Sequence, residues 1–406
     1  MRLKIKIIIS KFQTLLKIIK SRRWGLLWDK ITPLKKLLSL TNYLPHPQKY
    51  RYILIGGHGL GMTALLFYLN KMGAKATEIW TYEVIRPFIF YRKFDGLVLD
   101  KAPLNKDASK VLQTLKKKVP LYQIIRDPIS VIKSNVNVTM FHTISSIHSQ
   151  ADAKRVLFEI ITNIPHLMFY FASTRKLIDH ITTDVTYLRM CDLDDMHMPT
   201  TLQNFAYSFG YQEALKLNGG GGDDNNDNES VVKGSLFPRC FPFAFSLQGY
   251  DFILSPRSRL QSHFRKELDM NTNLGNYTKV PTDYTILKDN ITIDTYPQYP
   301  LVLIAPADKT PPKDLIEKSH EPIKAYIDEA LCQIKKHQSF AFSEASIIEA
   351  LRQWPDRTKL AIKIHSELAY IRKERPDFLA EFTHTASFLA QNGIDIFSTS
   401  ITKEAL

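Results

Sequence analysis

At 406 residues, with 44% hydrophobic and 11% aromatic content, the chain can bury one large core or two ordinary ones, which excludes a disordered polypeptide. Its three cysteines, Cys191, Cys240 and Cys332, are far apart and in no metal-ligand spacing, which excludes a disulfide framework and makes a reducing compartment the expectation. The net charge of +14 is concentrated: residues 1–40 hold eleven Lys or Arg against one acid, Asp29, so +10 of it lies there.

In that arm Ile5, Ile8, Phe12, Leu15, Leu16 and Ile19 recur at spacings of three and four, with Lys4, Lys11, Lys17 and Lys20 between them. This predicts a basic amphipathic helix lying on an anionic membrane surface, with Trp24 and Trp28 at headgroup level beside Arg22 and Arg23. A helix packed on the protein body, or a partner-binding arm, is the competing reading. Lysines cut the arm into short apolar runs such as Ile7–Ser10, too short for a secretory core or a bilayer span. Interleaving with aliphatic residues also argues against a nucleic-acid partner. The expected location is the cytoplasm, peripheral on the inner face of the membrane.

Pro45 and Pro47 close the arm, residues 1–48, and an α/β core is expected over 49–217. It opens with a β-rich run, Tyr50–Ile55, then Gly56-Gly-His-Gly-Leu-Gly-Met-Thr63, then helical spacing over Ala64–Lys71. Glycines at Gly57, Gly59 and Gly61 let backbone N–H groups turn around an anion, Thr63 adds a hydroxyl, and the helix adds its positive end. A tight strand-to-helix turn is the alternative. The spacing fits Gly-x-x-x-x-Gly-Lys-[Ser/Thr] except that Met62 replaces the lysine, which argues against an ordinary ATP- or GTP-hydrolysing loop.

Gly96–Asp100 reads as a second short strand, Lys106–Lys117 as a helix and Leu121–Ile125 as another strand. Arg126 follows at its tip; Asp127 and Pro128 suit an N-cap and first helical position, and Ser134 comes eight residues after the arginine. A planar guanidinium and a hydroxyl at that spacing suit a phosphate, and an Arg–Asp surface pair before an ordinary helix is the alternative. Alternating strands and helices imply a mostly parallel sheet with ligands at the strands' carboxyl ends.

This succession resembles the sulfotransferases that use 3′-phosphoadenosine 5′-phosphosulfate, over roughly residues 50–212. Leu99-Asp-Lys-Ala-Pro-Leu104 is similar to the family's Lys-[Ser/Thr]-Pro turn, and Thr186–Leu193 followed by Thr201–Gly210 to its late strand and closing helix. The resemblance implies a P-loop-like three-layer α/β core whose Gly57–Thr63 loop holds the 5′-phosphosulfate while Arg126 and Ser134 hold the 3′-phosphate. It implies that donor as cosubstrate, no metal, and a hydroxyl on a glycan or glycolipid as acceptor. The family's loop cation falls on Gly59, so Lys101 and His58 are the substitutes for stabilising departing charge. Pro103 stands where one branch has a histidine base, which makes Glu83 the candidate general base; a solvated acid beside Arg86 is the alternative.

The chain also resembles uncharacterised bacterial proteins labelled as surface-polysaccharide sugar transferases. Asp192-Leu-Asp194 formally matches a metal–sugar-nucleotide element, so a glycosyltransferase is the rival function, and a non-catalytic nucleotide- or glycan-binding module the third. Asn218–Asn228 is polar and glycine-rich and places a linker at 218–230. Beyond it lies the C-terminal region, 231–406, expected to be mostly helical. Val231–Pro300 is aromatic and turn-rich, and Lys313–Asn392 reads as three or four helices. Lys233, Arg257 and Arg259 are its candidate contacts to nucleotide or acidic glycan.

Overall fold

The computed structural model describes residues 50–57, 59–72, 74, 76–79, 95–99, 109, 112–113, 115–163, 170–194, 196–211, 236–256, 284–297 and 299–400. The predicted amphipathic arm and the glycine-rich linker lie outside them. Strands β1 (Tyr52–Ile55), β2 (Ala76–Ile79), β3 (Gly96–Leu99), β4 (Val119–Ile125) and β5 (Thr182–Arg189) form one sheet in the order β2-β3-β1-β4-β5. All four neighbouring pairs are parallel. β1 is central because it is apolar throughout and buried at every position, as a strand covered on both faces must be.

Helix α1 (Met62–Lys71) follows β1, and α2 (Pro128–Phe141) follows β4. The chain continues through α3 (Gln150–Asn163), α4 (Phe171–Ile178), β5 and α5 (Met198–Phe209). On one face of the sheet, Tyr52 and Tyr122 pack on α5: ring centroids of Tyr52 and Phe209 are 4.7 Å apart, and those of Tyr122 and Phe205 4.2 Å. Leu65 and Leu69 of α1 join the same core. Register puts Ile55, Gln123 and Tyr187 together on the opposite face.

The C-terminal region corrects two expectations. Its aromatic stretch is not merely turn-rich: β6 (Phe243–Leu247), β7 (Tyr250–Pro256), β8 (Tyr284–Ile291) and β9 (Leu301–Pro306) form an antiparallel sheet in the order β6-β7-β9-β8. Gln248 (φ 50°) and Gly249 (φ 83°) make the two-residue turn between β6 and β7, where positive φ at both positions matches the strands' twist. The helical span that follows contains seven helices, not three or four: α6 (Lys313–Lys318), α7 (His320–Phe340), α8 (Glu344–Arg352), α9 (Arg357–Glu367), α10 (Ala369–Glu374), α11 (Pro376–Ala380) and α12 (Thr383–Ala390). Helix α7 joins the two parts. Its Tyr326 stacks on Phe243 of the second sheet at 3.8 Å and 5°, and its His337 meets the Asn137 carbonyl oxygen of α2 at 2.7 Å.

The C-terminal helices share one core with the parallel sheet. Tyr187 of β5 donates to Glu374 at 2.8 Å, and Arg175 of α4 reaches the same carboxylate at 3.3 Å and Asp179 at 2.8 Å. The sheet therefore has helices on both faces: α1 and α5 on one, the α10 end on the other.

Candidate active site

β1 and β4 are neighbours, and their carboxyl ends lie at the point where the strand order reverses: the chain leaves β1 toward β2 and crosses back from β3 to β4. Ligands of open parallel sheets bind at such a crevice. The glycine loop leaves β1 there. Gly59 and Gly61 both have φ +81°, a conformation that side chains rarely adopt. A Cβ on Gly59 would lie 2.9 Å from Asn135 Nδ2 and 3.4 Å from Ser134 Oγ; one on Gly61 would lie 3.3 Å from Leu193 Cδ1 and Met190 Sδ. The loop is thus wedged between the clamp helix α2 and the Met190–Leu193 turn after β5.

Arg126, Ser134 and Gly59, separated in sequence, meet here. Arg126 Nη1 donates to the Gly59 carbonyl oxygen at 2.7 Å. Burial lowers the guanidinium's pKa from its ordinary value, and the carboxylates of Glu344 and Asp127 oppose that shift. Arg126 stays charged, partly desolvated and aimed at the loop, so its field is stronger than a surface arginine's. Ser134 stands two turns along α2 on the same side. Asn135 is a contact the sequence did not single out; its Nδ2 donates to the Val131 carbonyl oxygen at 2.9 Å, which fixes it beneath Gly59.

Met62 has a different place from the lysine it replaces. It is buried, and its Cε would lie 2.7 Å from a Cβ on Gly56, so it packs under the loop, not over it. Thr63 is the second residue of α1, and Gly57 precedes the turn. His58, Glu83 and Lys101 lie outside the described residues, as do Lys233, Arg257 and Arg259; the strands before Glu83 and Lys101 end at Ile79 and Leu99, on the carboxyl edge shared with Arg126.

Asp127 carries more than the expected cap. Its Oδ1 accepts from Ile129 N at 2.8 Å and Ser130 N at 3.4 Å, capping α2. The same carboxylate accepts from Thr385 Oγ1 at 2.6 Å and from His384 N and Thr385 N, each at 3.1 Å, so it also caps α12. Further along α2, Glu344 accepts from Ser130 Oγ at 3.0 Å and Lys133 Nζ at 2.6 Å. Burial alone would raise the Glu344 carboxyl, but hydrogen bonds from Lys133, its own backbone and Ser130 outweigh it and leave its pKa at about 2. Asn137 then exchanges two 2.9 Å bonds with the Phe342 backbone. The C-terminal region holds the clamp helix at every turn.

The Asp192–Asp194 element is locally engaged. Asp192 takes Arg189 N at 2.7 Å and Arg189 Nη2 at 3.1 Å. Asp194 takes Met196 N, His197 N and His197 Nδ1 at 3.0, 2.9 and 2.8 Å. Among the described residues no group of three or more His, Cys, Asp or Glu is placed to hold a metal, and no helix is long and apolar enough to cross a membrane. A cavity of about 240 Å³ lined by Arg352, Arg357, Phe388, Gln391 and Asn392 includes no residue of the glycine loop or clamp.

The fold and site define an α/β protein with a glycine loop and an arginine–serine pair converging at the switch point of a parallel sheet. Comparison with known protein families, curated proteins and solved structures finds no match for the chain.

Proposed function

We propose that the crevice binds the phosphates of an adenosine 3′,5′-bisphosphate-type nucleotide, and that the protein is a sulfotransferase-like transferase moving a sulfuryl group from 3′-phosphoadenosine 5′-phosphosulfate to a hydroxyl of a surface glycan or glycolipid. The observation that carries it is the convergence of Arg126 and Ser134 on Gly59 at neighbouring strand ends. A loop with two positive-φ glycines can turn backbone N–H groups around an anion, and the start of α1, which has no acid in its first turn, adds its dipole; this donor set matches an anion. In this reading the loop from Gly57 to Thr63 holds the 5′ end, and Arg126 and Ser134 the 3′-phosphate. Lys101, with His58, supplies positive charge toward the leaving oxygen, and Glu83 accepts the acceptor's proton. Residues 1–40 hold the enzyme on the anionic inner face of the membrane.

The glycosyltransferase reading draws no support from Asp192 and Asp194, whose carboxylates already serve Arg189 and a turn. Thermal unfolding with adenosine 3′,5′-bisphosphate, and with UDP or GDP with and without Mn²⁺, separates the two. The expected outcome is stabilisation by the bisphosphate alone, and a response confined to a metal–sugar-nucleotide combination would reject it. Arg126→Ala should weaken bisphosphate binding by about 1.5–3 kcal/mol, the worth of a charged hydrogen bond, measured by calorimetry. Liposome flotation with and without residues 1–40 tests the arm, and equal flotation would remove it as the anchor.

A further inference from the structure

We propose that Thr385, on the C-terminal helix α12, is a positioning residue for the Arg126 clamp and acts through Asp127; this rests on the nucleotide-binding reading above. Arg126 lies between two fixed points. On one side Ile125 is held in β4 by its pairing with Arg189 of β5. On the other, Asp127 is oriented by α12, 258 positions downstream.

The geometry at Thr385 is more than a helix cap. Its hydroxyl donates to Asp127 Oδ1 at 2.6 Å and accepts from Ile129 N at 3.2 Å, so one oxygen bridges the cap carboxylate and the first turn of α2. Thr385 is fully buried and Asp127 nearly so, which shields these bonds from competing water. The bridge fixes how α2 leaves the strand. That angle sets the separation of the Arg126 guanidinium from the Ser134 hydroxyl, because Arg126 follows directly on the strand end while Ser134 rides on the second turn of the rigid helix α2. Proline at the first helical position fixes only its own φ and leaves the direction of the helix to the cap. The 3′-phosphate subsite is therefore set jointly by the sheet and the chain's far end.

The test uses the full chain and two probes, adenosine 3′,5′-bisphosphate and adenosine 5′-monophosphate, titrated calorimetrically. Thr385→Val keeps shape and removes the hydroxyl; it should weaken the bisphosphate about three- to tenfold, part of the worth of the charge-assisted bond to Asp127 that is lost, with a smaller change for the monophosphate. Thr385→Ser should restore the preference. Equal weakening of both probes, or none, marks Thr385 as a stabilising cap only and overturns the inference. A wild-type protein without preference for the bisphosphate overturns the reading and this inference with it, whereas preserved preference in Thr385→Val overturns the inference alone. Affinity ratios are measured on the folded fraction, so a lowered melting temperature does not mask the result.

Discussion

The parallel sheet and the C-terminal helices divide the labour at the site. The sheet half supplies the groups proposed to face a ligand, namely the glycine loop, Arg126 and Ser134, each delivered by a strand end or the helix after it. The C-terminal half supplies, among the described residues, the hydrogen bonds that hold the clamp helix: Thr385 and His384 on Asp127, Glu344 on Ser130 and Lys133, Phe342 on Asn137. A region can thus serve a proposed site by fixing the geometry of groups that another region supplies, since binding groups work only when pre-organised.

The largest expected effect probes the sheet half. Met62→Lys restores the familiar loop lysine in sequence, yet Met62 is 4% exposed beneath the loop. An unpaired ammonium there should cost about 3 kcal/mol or more in chemical denaturation and give no gain in nucleotide binding; a stable, tighter-binding variant would reverse our placement of Met62.

Asp127→Ala strikes the join between the halves. It uncaps α2 and α12 together and should cost about 2–4 kcal/mol, against about 1 kcal/mol for an ordinary single cap. A loss no larger than one cap would show that the two halves do not share this carboxylate. Gly59→Ala sharpens the contrast further by straining the loop without touching the C-terminal helices: φ +81° should cost about 1–2 kcal/mol, and Asn135 must shift. Unchanged stability would mean that the loop adopts another backbone.

The smallest effect is pH dependence at Glu344. Its folded-state pKa is depressed to about 2, so it contributes stability that is present above its unfolded value near 4.5 and lost as pH falls toward 2. Because the carboxylate is partly exposed, solvent screening limits the contribution to about 1 kcal/mol. Comparing acid unfolding of the wild type with Glu344→Gln checks it: the variant should lose less stability between pH 5 and pH 2, and parallel curves would remove Glu344 as the cause.

Much of the site was legible because its parts are local. A β-rich run, a glycine loop and a helical period appear in sequence as they do in space, and Asp127-Pro128 marked the start of α2 correctly. The second sheet was not legible. β6 alternates visibly, but β8 carries Lys288, Asp289 and Asn290 on an edge, where half-exposed positions need not alternate, and its partner β9 is the next described strand after a turn-rich stretch. The short strand β2 was missed because Thr77 and Glu78 leave its four residues without an apolar run.

The sequence by itself determined the local devices: apolar β1, positive-φ glycines, the capped helix, and an arginine eight residues before a serine. Those follow from dihedral preferences and periodicity, which act between near neighbours. Only the tertiary structure decided that β1 lies beside β4, that Arg126 meets the Gly59 carbonyl oxygen, that Met62 turns under the loop, and that Asp127 caps a second helix. Such pairings depend on which buried surfaces and polar groups satisfy one another across the whole core, and the strand pairing, the Arg126–Gly59 bond and the second cap join residues far apart in sequence.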